Sequence, residues 1–515
     1  MRSPMSENAD QLRLILGLKL KTLRQEQGRP LRDVAEAAGV SISYLSEIEK
    51  GKKYPKPEKL IELASALGTT YDDLVSLRVE DELQDIKTAI ASPFLREFPF
   101  ELFGVEPEDV IRLVAGKPEE GSALVRTFLE VMRHYDLRNE HFLFAALRSY
   151  QQMHRNYFPD IEAQAEAFRA AAGFNVEARL TDEDLRGALA ERFGITVDLD
   201  AIPGHPDLDR LRSIFRAPAG PRRKRNGAMG AVLHVNPKLM PSQRAFVYAR
   251  EIGYHHLGLT DRPTTSTWIQ PESFDQVLNH FKASYFAGAL LMPRERVRRD
   301  LGALFAAERW DPKQILRGLD AYRVTPEMLY YRLTEVIPTD FGLDEIYFMR
   351  FNHRLGTDEY KLTKVFNMSR VPVPHGISAL EHYCRRWVSM ETLRALEDAQ
   401  QTIGNPPPVV RAQRVRFVND AAEFFAIAVA RPLALKPGVN SVVSLGFRID
   451  ADFKRVVRWW DDPDVPVSEV NLTCERCPLN DCAVRAAPPT VLRHDVRIER
   501  QRHALAALMN GAAPS

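Results

Sequence analysis

The sequence predicts a multidomain chain: all-α at the N-terminus, α+β in the middle, and mixed α/β at the C-terminus. Three observations carry this. Residues 12 to 77 keep helical periodicity throughout, interrupted by a tight turn at Gly39. A strand-like run, Ala231–Asn236, precedes a helix at Phe246–Leu257 that bears an altered zinc-peptidase motif. From Phe341 onward strand-like runs recur, and three cysteines then fall within nine residues. A length of 515 residues is enough for three or four domains. The boundaries are expected at 1–78, 79–160 (a helical linker or oligomerisation region), 161–340 and 341–515.

Composition narrows the class. Apolar residues make up 45% and charged residues 27%, ordinary values for a globular protein. No apolar run approaches 18 residues, so no membrane span is expected. The opening MRSPMSENADQLRL lacks the apolar core of a secretory signal, which predicts a cytoplasmic protein. Four cysteines are too few for a secreted disulfide scaffold of this length. Their clustering points instead to metal or redox chemistry.

The first module is read from its stops. Leu12, Leu16, Leu20 and Leu23 give one helix face, and Leu31, Val34, Ala35 and Ala38 a second, closed by Gly39. Ser41 is a good N-cap for a third helix, Ile42 to Lys50, ended by Gly51. Two short helices joined by a tight Gly-containing turn form a helix-turn-helix, whose second helix enters the major groove. Residues 1–60 hold 12 Lys/Arg against 8 Asp/Glu, a cationic excess that suits DNA. Arg24, Arg32, Lys50, Lys52 and Lys53 are placed to meet phosphates, and Ser41, Ser43, Tyr44 and Glu47 to meet base edges. A helical protein-interaction domain would share the periodicity but not the turn chemistry and cationic clustering. The string LRDVAEAAGVSISYLSEIEKGKKYPKPEKLIELASALG resembles the Cro/phage-repressor-like (XRE) family. That resemblance implies a double-stranded DNA operator and a homodimer or homotetramer.

The middle of the chain turns on Arg250-Glu251-Ile252-Gly253-Tyr254. A working H-E-x-x-H helix binds zinc through two His on one face, while its Glu polarises the attacking water. Here only Glu251 survives, and Arg cannot shed its proton to bind a metal. The reading is a peptidase fold without the peptidase chemistry, so no enzyme. The order of strand, altered helix and a further helix ending in ASYFAGALLMP (Ala283–Pro293) resembles the ImmA/IrrE-type metallopeptidase domain, a zincin-like α+β fold. That family's acidic third ligand corresponds to His280. The vacated cleft is the default ligand site. Arg250, Tyr254, Lys282 and Tyr285 would offer donors to an anion. Alternatively Arg250 and Glu251 belong to a structural ion network and the aromatics to the core. Leu147–Phe158 reads as a packed helix with exposed cations, and Ile195–Val197 as a strand. Arg222–Arg225 form a polybasic loop that either binds a polyanion or is a solvated hairpin tip.

In the C-terminal region, Ile346–Met349, Val415–Val418 and Val442–Ile449 read as strands and Asn405–Ala412 as a loop. Cys474, Cys477 and Cys482 follow in C-x2-C-x4-C spacing, with Cys384 lying 90 residues upstream. Thiolates select zinc or an iron–sulfur cluster. Four Cys, with Pro478 directly after a ligand, favour a [4Fe-4S] cluster over Zn2+. His382 or Asp481 is an alternative to Cys384 as fourth ligand, and unliganded buried thiols are a third reading.

The whole arrangement resembles the short-chain fatty acyl-CoA regulator family. The strings that carry the resemblance are LRSYQQMHRNYFPDIEAQAEAF, FKASYFAGALLMP, IPTDFGLDEIYFMRF and LTCERCPLNDCAVRAAPP. It implies a transcription factor that senses a short-chain acyl-CoA and adjusts carbon or fatty-acid metabolism. It adds Arg155 and Arg222–Arg225 to Lys282 and Tyr285 as candidate contacts for a polyanionic ligand. A redox-sensing iron–sulfur regulator and an ImmA/IrrE-type peptidase are the competing classes.

Overall fold

The computed structural model describes residues 13–75, apart from 14–15, 18, 22, 26 and 50–52, then 139–218, 230–265, 271, 273–369, 381–418 and 422–509, with single residues at 102, 127 and 130. The chain forms two units, Met1–Tyr150 and Gln151–Ser515.

In the first unit, helical residues between 13 and 25 precede α1 (Leu31–Ala37), α2 (Ile42–Glu49), α3 (Pro57–Ala66) and α4 (Tyr71–Val75). Gly39 ends α1 with φ +59, a left-handed turn that a side chain would strain. Ser41 caps α2 as expected: its Oγ accepts the Tyr44 N–H at 3.1 Å. The apolar periodicity closes into one core containing Leu16, Leu20, Val34, Leu45, Ile48, Leu60 and Leu63. Gly17 has a steric role, because a Cβ there would sit 2.4 Å from the Ile48 carbonyl oxygen. Lys50, Gly51 and Lys52 lie outside the described residues.

The second unit begins at Gln151, within the last turn of α5 (Asn139–Met153). The helix expected over 147–158 stops at Met153, because Arg155 and Asn156 adopt φ 52 and 53. Next come α6 (Pro159–Ala171), α7 (Asp182–Phe193), β1 (Thr196–Asp198), β2 (Ser213–Arg216), β3 (Val232–Val235), α8 (Pro241–His256) and α9 (Phe274–Leu291). β1–β3 form a small sheet in the order β1-β3-β2, with β1 parallel and β2 antiparallel to β3. α8 is the altered zinc helix, and α9 packs along it. Gly253 permits that approach, since a Cβ would meet the Ala283 carbonyl oxygen at 3.1 Å. α10 (Arg294–Ala306), α11 (Pro312–Tyr322) and α12 (Pro326–Phe341) complete the helical layer.

A six-stranded sheet follows: β4 (Ile346–Arg354), β5 (Tyr360–Asn367), β6 (Val409–Phe417), β7 (Glu423–Pro432), β8 (Val439–Arg448) and β9 (Val467–Val470). Its order is β5-β4-β8-β7-β6-β9, antiparallel except for the β6/β9 pair. β7 and β8 are central, which explains their nearly unbroken apolar runs. One sheet face buries Tyr347, Met349 and Phe351 against Trp387, Leu393 and Leu396, the last two on α13 (Val388–Ile403). On the opposite face Phe348 meets Tyr331 of α12 edge to face. The loop expected over Asn405–Ala412 is only half present: the prolines end at Pro408, and Val409–Ala412 already pair with β7. α14 (Ala451–Val456) and α15 (Thr490–Met509) complete the chain. None of the described helices is long and apolar enough to cross a membrane.

Candidate functional site

Glu251 of the altered motif is paired with an organic cation. Glu251 is buried, and Arg262 grips both its carboxylate oxygens at 2.7 and 2.6 Å. His255 Nε2 lies 3.1 Å from the same carboxylate. The Arg262 guanidinium also stacks on Tyr254 at 3.8 Å and on Phe215 at 4.4 Å. Burial would raise the Glu251 carboxyl, but His255 and Arg262 outweigh it and hold the group below its ordinary value. A carboxylate so engaged is not free to polarise a water. His256 is half-buried, edge-on to Phe168 and tilted against Phe286. Tyr254 and His280, two of the replaced ligand positions, meet each other instead: Oη and Nδ1 are 2.9 Å apart. Among the described residues, no three His, Cys, Asp or Glu side chains are placed to share a metal ion.

Arg250 is the exception to this pairing. It is 5% exposed, and among the described residues it makes no hydrogen bond and no ion pair. Its only described contact of this kind is with the Phe246 ring, 6.0 Å away. Burial, with Arg212 and Arg262 adding like charge, pulls its guanidinium down to about 10 although Tyr254 and Glu251 resist. A buried charge without a partner costs several kcal/mol, on the order of 3–5.

The electrostatic field extends from Arg250 to the large sheet. His280 is pushed well below its usual range by burial and by Arg250, Lys364, Arg262 and Arg212. The same Arg212 and Lys364 join Arg350 and Arg431 around Glu327. Burial would raise that carboxyl, yet these four cations hold it down at about 2. Arg350 and Lys364 reach Glu327 at 3.1 and 3.7 Å. Arg212, Glu327, Arg350, Arg431 and Ser441 line a small cavity of about 10 Å³, room for about one water molecule. Lys364 and Glu327 keep 42% and 24% of their side chains accessible. Six cations therefore share one region with two carboxylates, and one of the two, Glu251, is already taken by Arg262.

Of the residues the sequence singled out as ligand contacts, Arg250 and Tyr254 lie in this field. Lys282 is half-buried on α9. Arg155 is corrected: it pairs with Asp344 at the surface, with 54% of its side chain exposed. Tyr285 is also corrected, since its hydroxyl donates to Glu162 at 2.7 Å inside a closed network. There Arg332 bridges Glu162 at 2.5 Å and Glu335 at 2.9 Å. Arg222–Arg225 lie outside the described residues. Sequence spacing missed Arg212, Arg262, Glu327, Arg350, Lys364 and Arg431. One signal was available: Arg350 interrupts the apolar run Ile346–Phe351, where a charge is expensive to bury.

The residues expected to meet DNA differ in their exposure and pairing. Arg32, Ser41, Ser43 and Lys53 are exposed, and Tyr44 and Glu47 are half-buried. Lys53 pairs with Glu47 at 2.7 Å and lies 5.7 Å from the Tyr44 ring. Arg24 is not a free phosphate contact. It clamps Glu49 at 2.7 and 2.9 Å, with only 14% of its side chain exposed.

The cysteines gather by a strand-like bridge, Tyr383↔Thr473. The Cys384 N–H donates to the Leu472 carbonyl at 3.1 Å and the Cys474 N–H to the His382 carbonyl at 2.9 Å. Cys384, Cys474 and Cys477 are buried free thiols, and Cys482 is half-buried. Burial, with Cys474 and Cys477 adding to it, raises the Cys384 thiol. The loop closes around Arg485, which donates to the carbonyls of Cys474 at 2.8 Å, Cys477 at 3.2 Å and Leu479. The Ala486 N–H reaches the Cys474 sulfur at 3.4 Å. His382 is held on Glu475 at 2.8 Å, and Asp481 is exposed.

Comparison with known proteins adds the following. Residues 20–74 match the helix-turn-helix family, and residues 210–334 match the IrrE N-terminal-like domain. The HTH-type transcriptional regulator PrpR of Mycobacterium tuberculosis is 25% identical over 92% of this chain and 92% of its own length. The propionyl-CoA carboxylase regulator of Cereibacter sphaeroides is 29% identical over 26% of this chain and 27% of its own. The HTH-type transcriptional regulator y4dJ of Sinorhizobium fredii is 37% identical over 13% of this chain and 84% of its own.

Proposed function

The chain belongs to the helix-turn-helix transcriptional regulators, joined here to an IrrE-like domain, and from that premise we propose that a short-chain acyl-CoA bound against the cationic cluster of Arg250, Arg212, Arg350, Arg431 and Lys364 sets its DNA binding. The observation that carries this reading is the buried, unpartnered Arg250 beside Arg212. An anion seated there relieves an electrostatic penalty that the unliganded protein bears. Coenzyme A brings several phosphate charges on a flexible chain. Arg212, Arg350, Arg431 and Lys364 are the donor types that phosphates require. Tyr254 and Tyr331 supply ring surface. The relative named for propionyl-CoA carboxylase supports a short acyl group, since a regulator of such an enzyme is well served by sensing its substrate. The effect on DNA requires the ligand to bind one arrangement of the protein more tightly than another.

Isothermal titration tests the reading. Acetyl-, propionyl- or butyryl-CoA is expected to bind the wild-type chain, with affinity falling about 10- to 100-fold in Arg250→Ala and Arg212→Ala. Absence of binding for all three, or binding indifferent to both substitutions, overturns it.

The thiol loop favours a second element, a thiolate-ligated centre. Three of its four cysteines are buried together, and an N–H already points at a sulfur. The donor chemistry fits a [4Fe-4S] cluster, although the thiols do not yet converge on one point. Cys384, Cys474, Cys477 and Cys482 would hold it, and it would supply reversible one-electron chemistry to a redox-sensing regulator. A UV–visible spectrum with metal analysis of anaerobically purified protein distinguishes cluster, Zn2+ and bare thiols.

A further inference from the structure

α15 (Thr490–Met509) has no buried residue along its 20 positions. Leu505, Leu508 and Met509 are 61%, 72% and 78% exposed. At 1.5 Å per residue the helix is ~30 Å long, and an isolated helix of this length is only marginally stable in water. Its root is fixed: the Leu492 N–H donates to the Glu475 carbonyl at 3.0 Å and the Arg493 N–H to Pro489 at 3.0 Å. The rest has no described packing partner.

The sequence of α15 says what covers it. Val491, Ile498 and Leu505 recur every seven residues, and His494, Gln501 and Leu508 fall three residues after each. That is a heptad seam with its second half partly polar. Beside the seam, Asp495 and Arg502 share one flank and Arg497 lies on the other. If two copies paired in parallel, Arg497 would face Arg502 of the second copy, a repulsion made twice. If they paired antiparallel, Asp495 would face Arg502 of the second copy, an attraction made twice. The within-helix partners of these residues are loose, His494–Asp495 at 3.6 Å and Arg502–Glu499 at 3.7 Å, and Asp495 also lies in the field of Arg476. The charge pattern also forms an isologous contact, which a two-fold dimer requires.

We propose that α15 is a self-association helix, pairing antiparallel with α15 of a second copy along Val491, Ile498, Leu505 and Leu508, with orientation set by two Asp495–Arg502 pairs. A helix-turn-helix that reads paired half-sites needs such a dimer contact.

Analytical ultracentrifugation of the full chain tests this, with Asp495→Arg, Arg502→Asp and the double exchange. All three changes are on an exposed surface, and circular dichroism confirms that folding is retained. Each single change turns two attractions into two repulsions and is expected to weaken dimerisation by about tenfold, while the double exchange restores it to within about threefold. Leu505→Glu is expected to weaken it without rescue by the charge exchange. A monomeric wild type, single exchanges without effect, or a double exchange no better than the singles overturns the proposal. Strengthening by Arg502→Asp alone also overturns it, because it would mean parallel pairing against Arg497.

Discussion

Replacing Arg250 with Met separates a ligand-binding cation from a structural one. The guanidinium is 5% exposed and has no described hydrogen-bond or ion-pair partner. Its depression to about 10 corresponds to about 3 kcal/mol against the charged form at neutral pH, at ~1.4 kcal/mol per tenfold. The sign follows from the direction. A cation whose folded value is lowered weakens the fold at every pH below that value, so the full penalty is present at pH 7. Met keeps most of the volume and removes the charge. After allowance for relaxation, the unliganded variant should gain about 1–3 kcal/mol, or a few degrees in melting temperature. The assay is differential scanning calorimetry with and without propionyl-CoA. The wild type should melt lower alone and rise with ligand, while Arg250→Met should melt higher alone and fail to respond. A variant that melts lower than wild type without ligand refutes the reasoning, because Arg250 would then have a stabilising partner inside the fold.

Arg24→Ala should destabilise the helix-turn-helix unit by about 2 kcal/mol, since it strands the nearly buried Glu49, whereas Arg32→Ala should leave the melting temperature alone and lower the salt slope of DNA binding by about 1. Thermal melts and filter binding across salt concentrations check both. Glu335 offers a pH test. Burial raises its carboxyl to about 8, with Glu162 adding to it, although Arg332, shared with Glu162, opposes it. Its contribution is therefore full below the ordinary carboxylate range and lost as pH rises through about 8. Glu335→Gln should flatten the decline in melting temperature between pH 5 and about 8, and an unchanged slope would count against the shared-cation account.

The first unit was readable because its signals are local. Gly39, Ser41 and the leucine spacing each act within a few residues, and each acts that way in the structure. The cationic cluster was not readable, because its members come from the β2 edge, α8, the start of α12, β4, β5 and β7. Only the fold brings Arg212 next to Arg431. Arg24 and Tyr285 show the opposite error: exposed cations and pocket tyrosines have the composition of binding residues, but a carboxylate distant in sequence, Glu49 or Glu162, had already claimed each. Asn405–Ala412 misled through its prolines, which hid the start of a central pairing at Val409. The four cysteines were legible as a group from spacing, and the bridge Tyr383↔Thr473 explains why the distant Cys384 joins them.

The altered zinc helix gains a physical interpretation from these contacts. A zinc site presents concentrated positive charge at the floor of a cleft, held by neutral His and anionic carboxylate ligands. In this chain both ligand positions of the motif and the expected acidic third position have changed, but the floor is still cationic. Arg262 has taken the place beside Glu251, and Arg250 stands where a ligand would. A guanidinium cannot polarise water as a metal does. It can, however, hold an anion through directed hydrogen bonds and does not dissociate as a metal ion can. Arg212, Arg350, Arg431 and Lys364 extend that positive field towards the large sheet, where the peptidase motif itself places nothing. The replacement of His by Arg therefore exchanges a neutral metal ligand for a fixed cation, the premise on which the proposed anion binding rests.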